Sequence, residues 1–322
     1  TEYKSVVLRN CGNDGVWSRV RDGFQSRLLD TYNTQVIHQA WMPVAVYLNG
    51  TYWGHYNLRE RKDRFSIAQF EGVDLEDKET LESITIIRGN SEAVQGTNTE
   101  YLAMRKEIDT LSPNTRPEDL QYLYDHIDID NYIEWFAVKM FFGDSDPGNI
   151  MFYKLPGEGS KWKCLLFDMD YGMFNSQFNS PRSYLKPTGM GQQNINNTIF
   201  RKMIESDVIR DQFLTRLGII FQTLTTEVMQ KEMDTATALV YPELQRHYSR
   251  WAQFKEPSIN IDSPTSPEGY MRYWQVRVDR MKYTTMVYRP YRLWGYVQDQ
   301  FQLTDEQMIY YFGPRPANPD AE

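Results

Sequence analysis

Asp144, Asp146, Asn149, Asp168 and Asp170 all fall within one run, GDSDPGNIMFYKLPGEGSKWKCLLFDMDYG, from residue 143 to residue 172. Carboxylate and amide oxygens gathered at one point suit a hard cation such as Mg²⁺, which keeps waters and binds one or two carboxylates together with substrate phosphates. Their meeting depends on the residues between them. Residues 150–154 and 162–167 are β-rich and flank Pro156-Gly-Glu-Gly159, which predicts a hairpin. With the turn near Gly157 and Glu158, Asn149 stands almost opposite Phe167, so both acidic clusters converge at the open end. A calcium loop of the EF-hand type is excluded: counted from Asp144, Asn149 takes the place of the obligatory glycine and Leu155 that of the final glutamate.

Other elements must hold this run in place. Ile129, Ile133, Phe136, Ala137, Met140 and Phe141 form one apolar stripe that ends at Gly143, a helix delivering Asp144. Before it, Thr115-Arg-Pro-Glu118 has the capping-box pattern with proline in the first turn. At the start of the chain residues 6–9 predict a strand and residues 19–29 a helix. Residues 42–48 and 52–58 predict a hairpin about Asn49-Gly50, a pair suited to positive φ. The charged run at 59–64 fits an exposed face, residues 84–87 predict one more strand, and residues 90–99 are polar. Residues 173–197, rich in Asn, Gln, Ser and Gly, predict a long loop that offers an acceptor surface. Helical spacing resumes at 199–233 and 242–251, and the Pro-rich end at 313–322 predicts a frayed tail.

Composition narrows the function classes. The 322 residues carry 35 Lys+Arg against 43 Asp+Glu, a net charge of −8, which leaves no cation excess to track a phosphate backbone and argues against a nucleic-acid partner. Two cysteines, Cys11 and Cys164, and four histidines show no zinc spacing. No run is long and apolar enough to span a bilayer, and no charged-then-apolar leader opens the chain. The 8 Trp, 22 Tyr and 16 Phe supply a core and also suit a carbohydrate-binding platform.

The order helix, Asp-x-x-x-x-Asn, strand, turn, strand, Asp-aromatic-Gly resembles the catalytic core of the protein kinase superfamily. Asp144 and Asn149 have the spacing of the catalytic-loop aspartate and asparagine, and Asp170-Tyr171-Gly172 stands where Asp-Phe-Gly belongs. No His-Arg precedes Asp144, no Lys follows it, and no GxGxxG loop is present, which sets the chain apart from ordinary eukaryotic-type kinases. Arg9 occupies the place of the phosphate-binding lysine. Two roles are open to it, a nucleotide-phosphate ligand or a structural partner of Asp22.

LRNCGNDG, RDGFQSRLL, VAVYLNGTYWGHYNLRE, FFGDSDPGNIMFYK, KCLLFDMDYGMF and PELQRHYSRW together resemble the CotH kinase family of spore-coat and cell-surface atypical kinases, over residues 5–290. The resemblance implies an α+β, atypical protein-kinase-like bilobal fold: a small antiparallel-sheet N-lobe at 1–100, a larger helical C-lobe at 101–312 with the catalytic hairpin 144–172, and a flexible tail at 313–322. It also implies ATP, Mg²⁺ or Mn²⁺, and transfer to hydroxyls of a protein substrate, such as a coat or surface protein. By position, Asp144 is then the catalytic aspartate, Asn149 and Asp170 the metal ligands with Asp168 a further one, and Arg9 and Glu60 the cofactor-binding residues, Glu60 at the hinge. Two other readings remain. One is a kinase-like cell-surface binding module. The other is a nucleotide-sugar glycosyltransferase, whose strand-end Asp-x-Asp Asp168-Met169-Asp170 also resembles, although that fold needs alternating β-α units ahead of the motif.

Overall fold

The computed structural model describes residues 3–191, 193–251 and 266–321. Strand β1 (Val6–Arg9) leads through a 3₁₀ turn (Gly12–Val16) into α1 (Arg21–Tyr32), and β2 (Trp41–Leu48) and β3 (Thr51–Glu60) follow. Asn49 and Gly50 take φ of 49° and 78°, the doubly left-handed turn that matches the twist of the flanking strands. The three strands form one antiparallel sheet in the order β1-β3-β2, with Arg9 opposite Asn57. Along β3 the inward positions His55, Asn57 and Arg59 are all polar and all buried. Arg59, expected on an exposed face, is 2% exposed.

Helices α2 (Arg64–Glu71) and α3 (Lys78–Ser83) precede β4 (Thr85–Arg88) and β5 (Glu92–Gln95). β5 lies within the polar stretch 90–99. Three of its four residues are exposed, so as an edge strand it leaves no apolar signature. Next come α4 (Thr99–Asp109), α5 (Pro117–His126) and α6 (Ile129–Phe142). The capping box expected at Thr115 does not form. Arg116 is the N-cap, and the Thr115 hydroxyl bonds instead to the Ser112 carbonyl at 3.2 Å. Every residue of α6 except Asp130 is buried, so the helix runs through the core with no solvent face, and it stops at Gly143 with φ 62°.

Strands β6 (Met151–Lys154) and β7 (Lys163–Leu165) form the expected hairpin, with Met151 opposite Leu165 and Phe152 opposite Cys164. That register carries Asn149 to the level of Phe167. The sheet order is β5-β4-β6-β7, all antiparallel, so it joins residues from both sides of position 100. Alternation along the strands splits its faces. Ile87, Phe152 and Cys164 enter the main core, while Ile86, Met151, Tyr153 and Leu165 enter a smaller one shared with Ile67 and Leu81.

The remainder is helical: α7 (Ser180–Tyr184), α8 (Thr198–Glu205), α9 (Asp207–Thr223), α10 (Thr226–Trp251), α11 (Pro267–Arg280), α12 (Met286–Phe301) and α13 (Asp305–Phe312). α7 interrupts the loop expected at 173–197, and α10 continues through Pro242. Residues 313–321 lie along α12, where the Trp294 indole donates to the Gly313 carbonyl at 3.3 Å and Arg315 stacks on Tyr291. The main core extends from Val20 to Phe312. Phe136 of α6 lies face to face with Phe200 of α8, ring centres 3.8 Å apart, at its middle. Among the described residues no helix is long and apolar enough to cross a membrane.

Candidate functional site

Where β1 ends, its last side chain meets the loop that leaves β7. Arg9 pairs through one guanidinium nitrogen with Asp168 and with Asp170, the latter at 3.3 Å, and through the other with Asp22 of α1 at 3.5 Å. Burial opposes its charge, but the three carboxylates outweigh burial and hold the guanidinium above its ordinary pKa. Of the two roles foreseen for Arg9, the pairing with Asp22 is present, and the same side chain also pairs with Asp168 and Asp170.

The first turns of α1 organise the rest. Asp22 pairs with Arg59 at 2.9 Å and accepts from the Met169 backbone at 3.1 Å. The Gln25 amide donates to the Met169 carbonyl at 2.6 Å, and Arg21 to the Asp170 carbonyl at 3.2 Å. These bonds fix residues 169–170 against α1, with Asp168 itself at a left-handed φ of 50°. The loop after β1 closes the other side, where the Asn13 backbone donates to Asp170 at 3.0 Å. Gly12, at φ 59°, has room for nothing larger: a Cβ there would lie 2.7 Å from the Asp170 carboxylate.

Asp170 is 1% exposed on its side chain, and among the described residues its Oδ1 has no hydrogen-bond partner. Burial first, and then the charge of Asp168, push its pKa up to about 7, against the opposing pull of Arg9. Asn149 reaches the same place, its amide lying 3.5 Å from the Asp168 carbonyl and 3.2 Å from the Asp146 carboxylate. Asn149, Asp168 and Asp170 thus converge as the hairpin register requires.

Asp144 and Glu60 lie elsewhere. Asp144 is fully enclosed behind the loop, ion-paired with the equally buried Lys139, and its other oxygen accepts the Asp146 backbone N–H at 2.9 Å. Burial raises its pKa while Lys139 pulls it down, with a net rise. Its full burial keeps it from a substrate hydroxyl. Asp146, which accepts the Gly148 backbone N–H at 3.3 Å and the Asn149 amide at 3.2 Å, is half-buried and the nearer acid to solvent. Glu60 pairs with Lys62 at 2.8 Å at the far end of β3 and touches none of the acidic set.

A divalent cation fits in part. Among the described residues no three His, Cys, Asp or Glu side chains converge as a ready metal site. Two carboxylates with an unpartnered buried oxygen and an adjacent amide do match the few protein ligands that Mg²⁺ takes alongside phosphates.

The family model described as CotH kinase protein matches residues 1–283 of the 322. The chain belongs to the CotH kinase protein family. Membership points to a kinase-like function, and the acidic loop, α1 and β1 are the parts that this fold brings together. No curated protein matches the chain.

Sequence reasoning missed Arg59, Gln25, Lys139 and the Gly12–Asn13 backbone. For Arg59 the pattern misleads: His55, Asn57 and Arg59 alternate with Tyr56 and Leu58, which by itself turns the polar row outward, whereas the sheet buries that row against α1 and α10. Gln25 and Lys139 had no signal, since a buried polar group on a helix shows itself only through its tertiary partner.

Proposed function

We propose that this CotH kinase protein transfers the γ-phosphate of ATP to hydroxyl groups of a protein substrate, with Mg²⁺ or Mn²⁺ held by Asp168, Asp170 and Asn149. The reading takes the β1-β3-β2 sheet with α1 as the smaller lobe and the helical body as the larger, in a bilobal kinase-like arrangement. The observation that carries it is the buried, unpartnered Asp170 Oδ1 beside Asp168 and Arg9. When bound, the cation would neutralise the triphosphate oxygens and the leaving diphosphate. Arg9 supplies the fixed positive charge facing the phosphates. Asp146 takes the acceptor-side role, and Asp144 acts through it by holding the loop with Lys139. Glu60, the last residue of β3, has no part in the transfer.

In the transfer, the acceptor oxygen bonds to the γ-phosphorus as the bond to the β–γ bridging oxygen breaks. The electron pair leaves with ADP, and the hydroxyl proton passes to the Asp146 carboxylate. Catalysis of this kind is mostly positioning and charge stabilisation. Calorimetry should show ATP binding that requires Mg²⁺ or Mn²⁺ and that Asp170→Ala abolishes. Incorporation of labelled γ-phosphate should fall roughly 10²-fold in Asp146→Asn while ATP binding stays within a few fold. ATP affinity indifferent to metal and to Asp170 would overturn the assignment. One observation favours a second reading, a binding module without transfer: Arg9 already neutralises the two carboxylates. Absence of any thermal shift with ATP and Mn²⁺ would decide for it.

A further inference from the structure

The loop that closes over Asp170 also walls a cavity of about 640 Å³, in which Gly12 and Asn13 are joined by residues of β3 and α10. Flat rings line it: Trp17, Trp53, Tyr56, Tyr171 and Trp251. Trp53 and Trp251 stand edge to face, 5.1 Å between centres. At the polar edge, Asn10 and Asn13 present exposed carboxamides.

His55 is the decisive residue. It is 1% exposed, it lines the cavity, and among the described residues neither of its ring nitrogens has a partner. A buried polar group left unpaired is costly, so a ligand whose hydroxyl meets the imidazole at the cavity wall gains by removing that cost. His247 accepts the His55 backbone N–H on Nδ1 at 3.1 Å. Burial, with Arg19 and His55 adding to it, keeps His247 neutral, so its proton sits on Nε2 as a donor. Arg19, at a left-handed φ of 62°, commits its two terminal nitrogens to the carbonyls of Gly15 and His55 at 2.7 and 3.3 Å and leaves buried Nε unpartnered.

These groups discriminate between ligand classes. Among the described residues no carboxylate or thiolate lines the cavity, and His247 Nδ1 is occupied, so these residues make a poor metal site. A polyphosphate finds neutral imidazoles and a guanidinium whose ends are taken. A wholly apolar ligand would leave His55 unpaired. A sugar ring answers both halves of the site: its C–H face covers an indole, and its hydroxyls both donate and accept, as carboxamides and neutral imidazoles do.

We propose that this cavity binds a neutral pyranose, a hexose or N-acetylhexosamine unit of a glycan, stacked among its tryptophans and hydrogen-bonded to His55 and the Asn10 and Asn13 amides. The cavity shares the Gly12–Asn13 loop with the acidic site, but the sugar does not rest on the phosphotransfer reading. The test titrates glucose, galactose, mannose, N-acetylglucosamine, cellotriose and chitotriose into the full chain, followed by tryptophan fluorescence and saturation-transfer NMR. At least one sugar binds saturably, and ATP with Mn²⁺ does not displace it. His55→Phe keeps the ring volume and removes an unpaired polar group, so the melting temperature holds or rises while the sugar affinity falls about tenfold. Trp53→Ala, which removes a stacking wall, gives a loss of at least the same size. No saturable binding by any of the six sugars overturns the proposal. So does binding that both variants leave unchanged, or displacement by ATP, which would give the cavity to a nucleotide.

Discussion

Asp170 is pulled between two states, since burial beside Asp168 favours its neutral form while Arg9 favours its charge. Its folded pKa, raised to about 7 from an ordinary 3.8, means that the native chain binds more protons than the unfolded one between those values. The sign follows from linkage: the stability this group contributes is fully present below about pH 4 and is lost as pH rises towards 7. Asp170→Asn cannot ionise, so its urea midpoint should lack that decline over pH 4–7. An equal decline in the variant would assign the titration to another group. Cation binding competes with the same proton, so Mn²⁺ affinity of the parent chain should climb to about pH 7 and then level off. Asp144 is a different case. Removing one partner of a buried ion pair strands the other, at a cost of roughly 3–5 kcal/mol. Asp144→Ala should lose about that much in urea unfolding through stranded Lys139, whereas the half-buried Asp146→Asn should stay within about 1 kcal/mol.

Among the elements, the short loop between β1 and α1 does the most for the site, because its backbone both caps Asp170 and lines the aromatic cavity. It can approach so closely only because Gly12 has no side chain and takes a positive φ. Gly12→Ala should cost about 1–3 kcal/mol, from left-handed strain together with overpacking against Asp170 and the Arg9 guanidinium. A thermal melt and ATP calorimetry on the same sample check this, with weaker nucleotide binding expected beside the lower melting temperature. A melting temperature equal to the parent's would show that the loop yields freely and does not hold Asp170. β3 plays the complementary part from beneath, as its inward polar row ties the sheet to α1 through Arg59 and to α10 through His55.

At the scale of the whole molecule, Arg289 joins the C-terminal helices to the site. This fully buried side chain of α12 donates to the carbonyls of Met140 and Phe141 at the end of α6, to the Phe178 carbonyl and to the Ser180 hydroxyl. Burial lowers its pKa to about 10, so it stays charged at neutral pH and answers the negative end of the α6 dipole. Asp144 follows that helix end by two residues, so the loop's position depends on a residue nearly 150 positions away. Arg289→Met should cost roughly 3–5 kcal/mol and should lower phosphate incorporation even in the fraction that stays folded. Because one core extends from Val20 to Phe312, fluorescence and far-ultraviolet circular dichroism should report a single coincident transition. Separate transitions would mean that the sheet and the helical body unfold independently.

Much of this was legible in the sequence because it is local. The Asn49-Gly50 turn, the strand at 6–9 and the helix ending at Gly143 rest on short-range sterics and periodicity, which a chain carries with it. The β6–β7 register was readable for the same reason, and it fixed the meeting of Asn149, Asp168 and Asp170 before any tertiary contact was known. Edge strand β5, exposed and polar, left no such mark. Tertiary structure alone decided which charges point inward. Asp144 and Asp146 are two residues apart on one loop, yet one is sealed against Lys139 and the other is half-buried, bonded to Gly148 and Asn149. The buried Lys139 belongs to a helix with no solvent face, and its charge drew the first carboxylate to it. Arg59 and Glu60 part in the same way, because adjacent residues of a strand face opposite sides and only the assembled sheet and α1 define which side is buried. The energy of a buried charge is set by partners distant in the chain, here Asp22 for Arg59 and the α6 terminus for Arg289, and those exist only after folding.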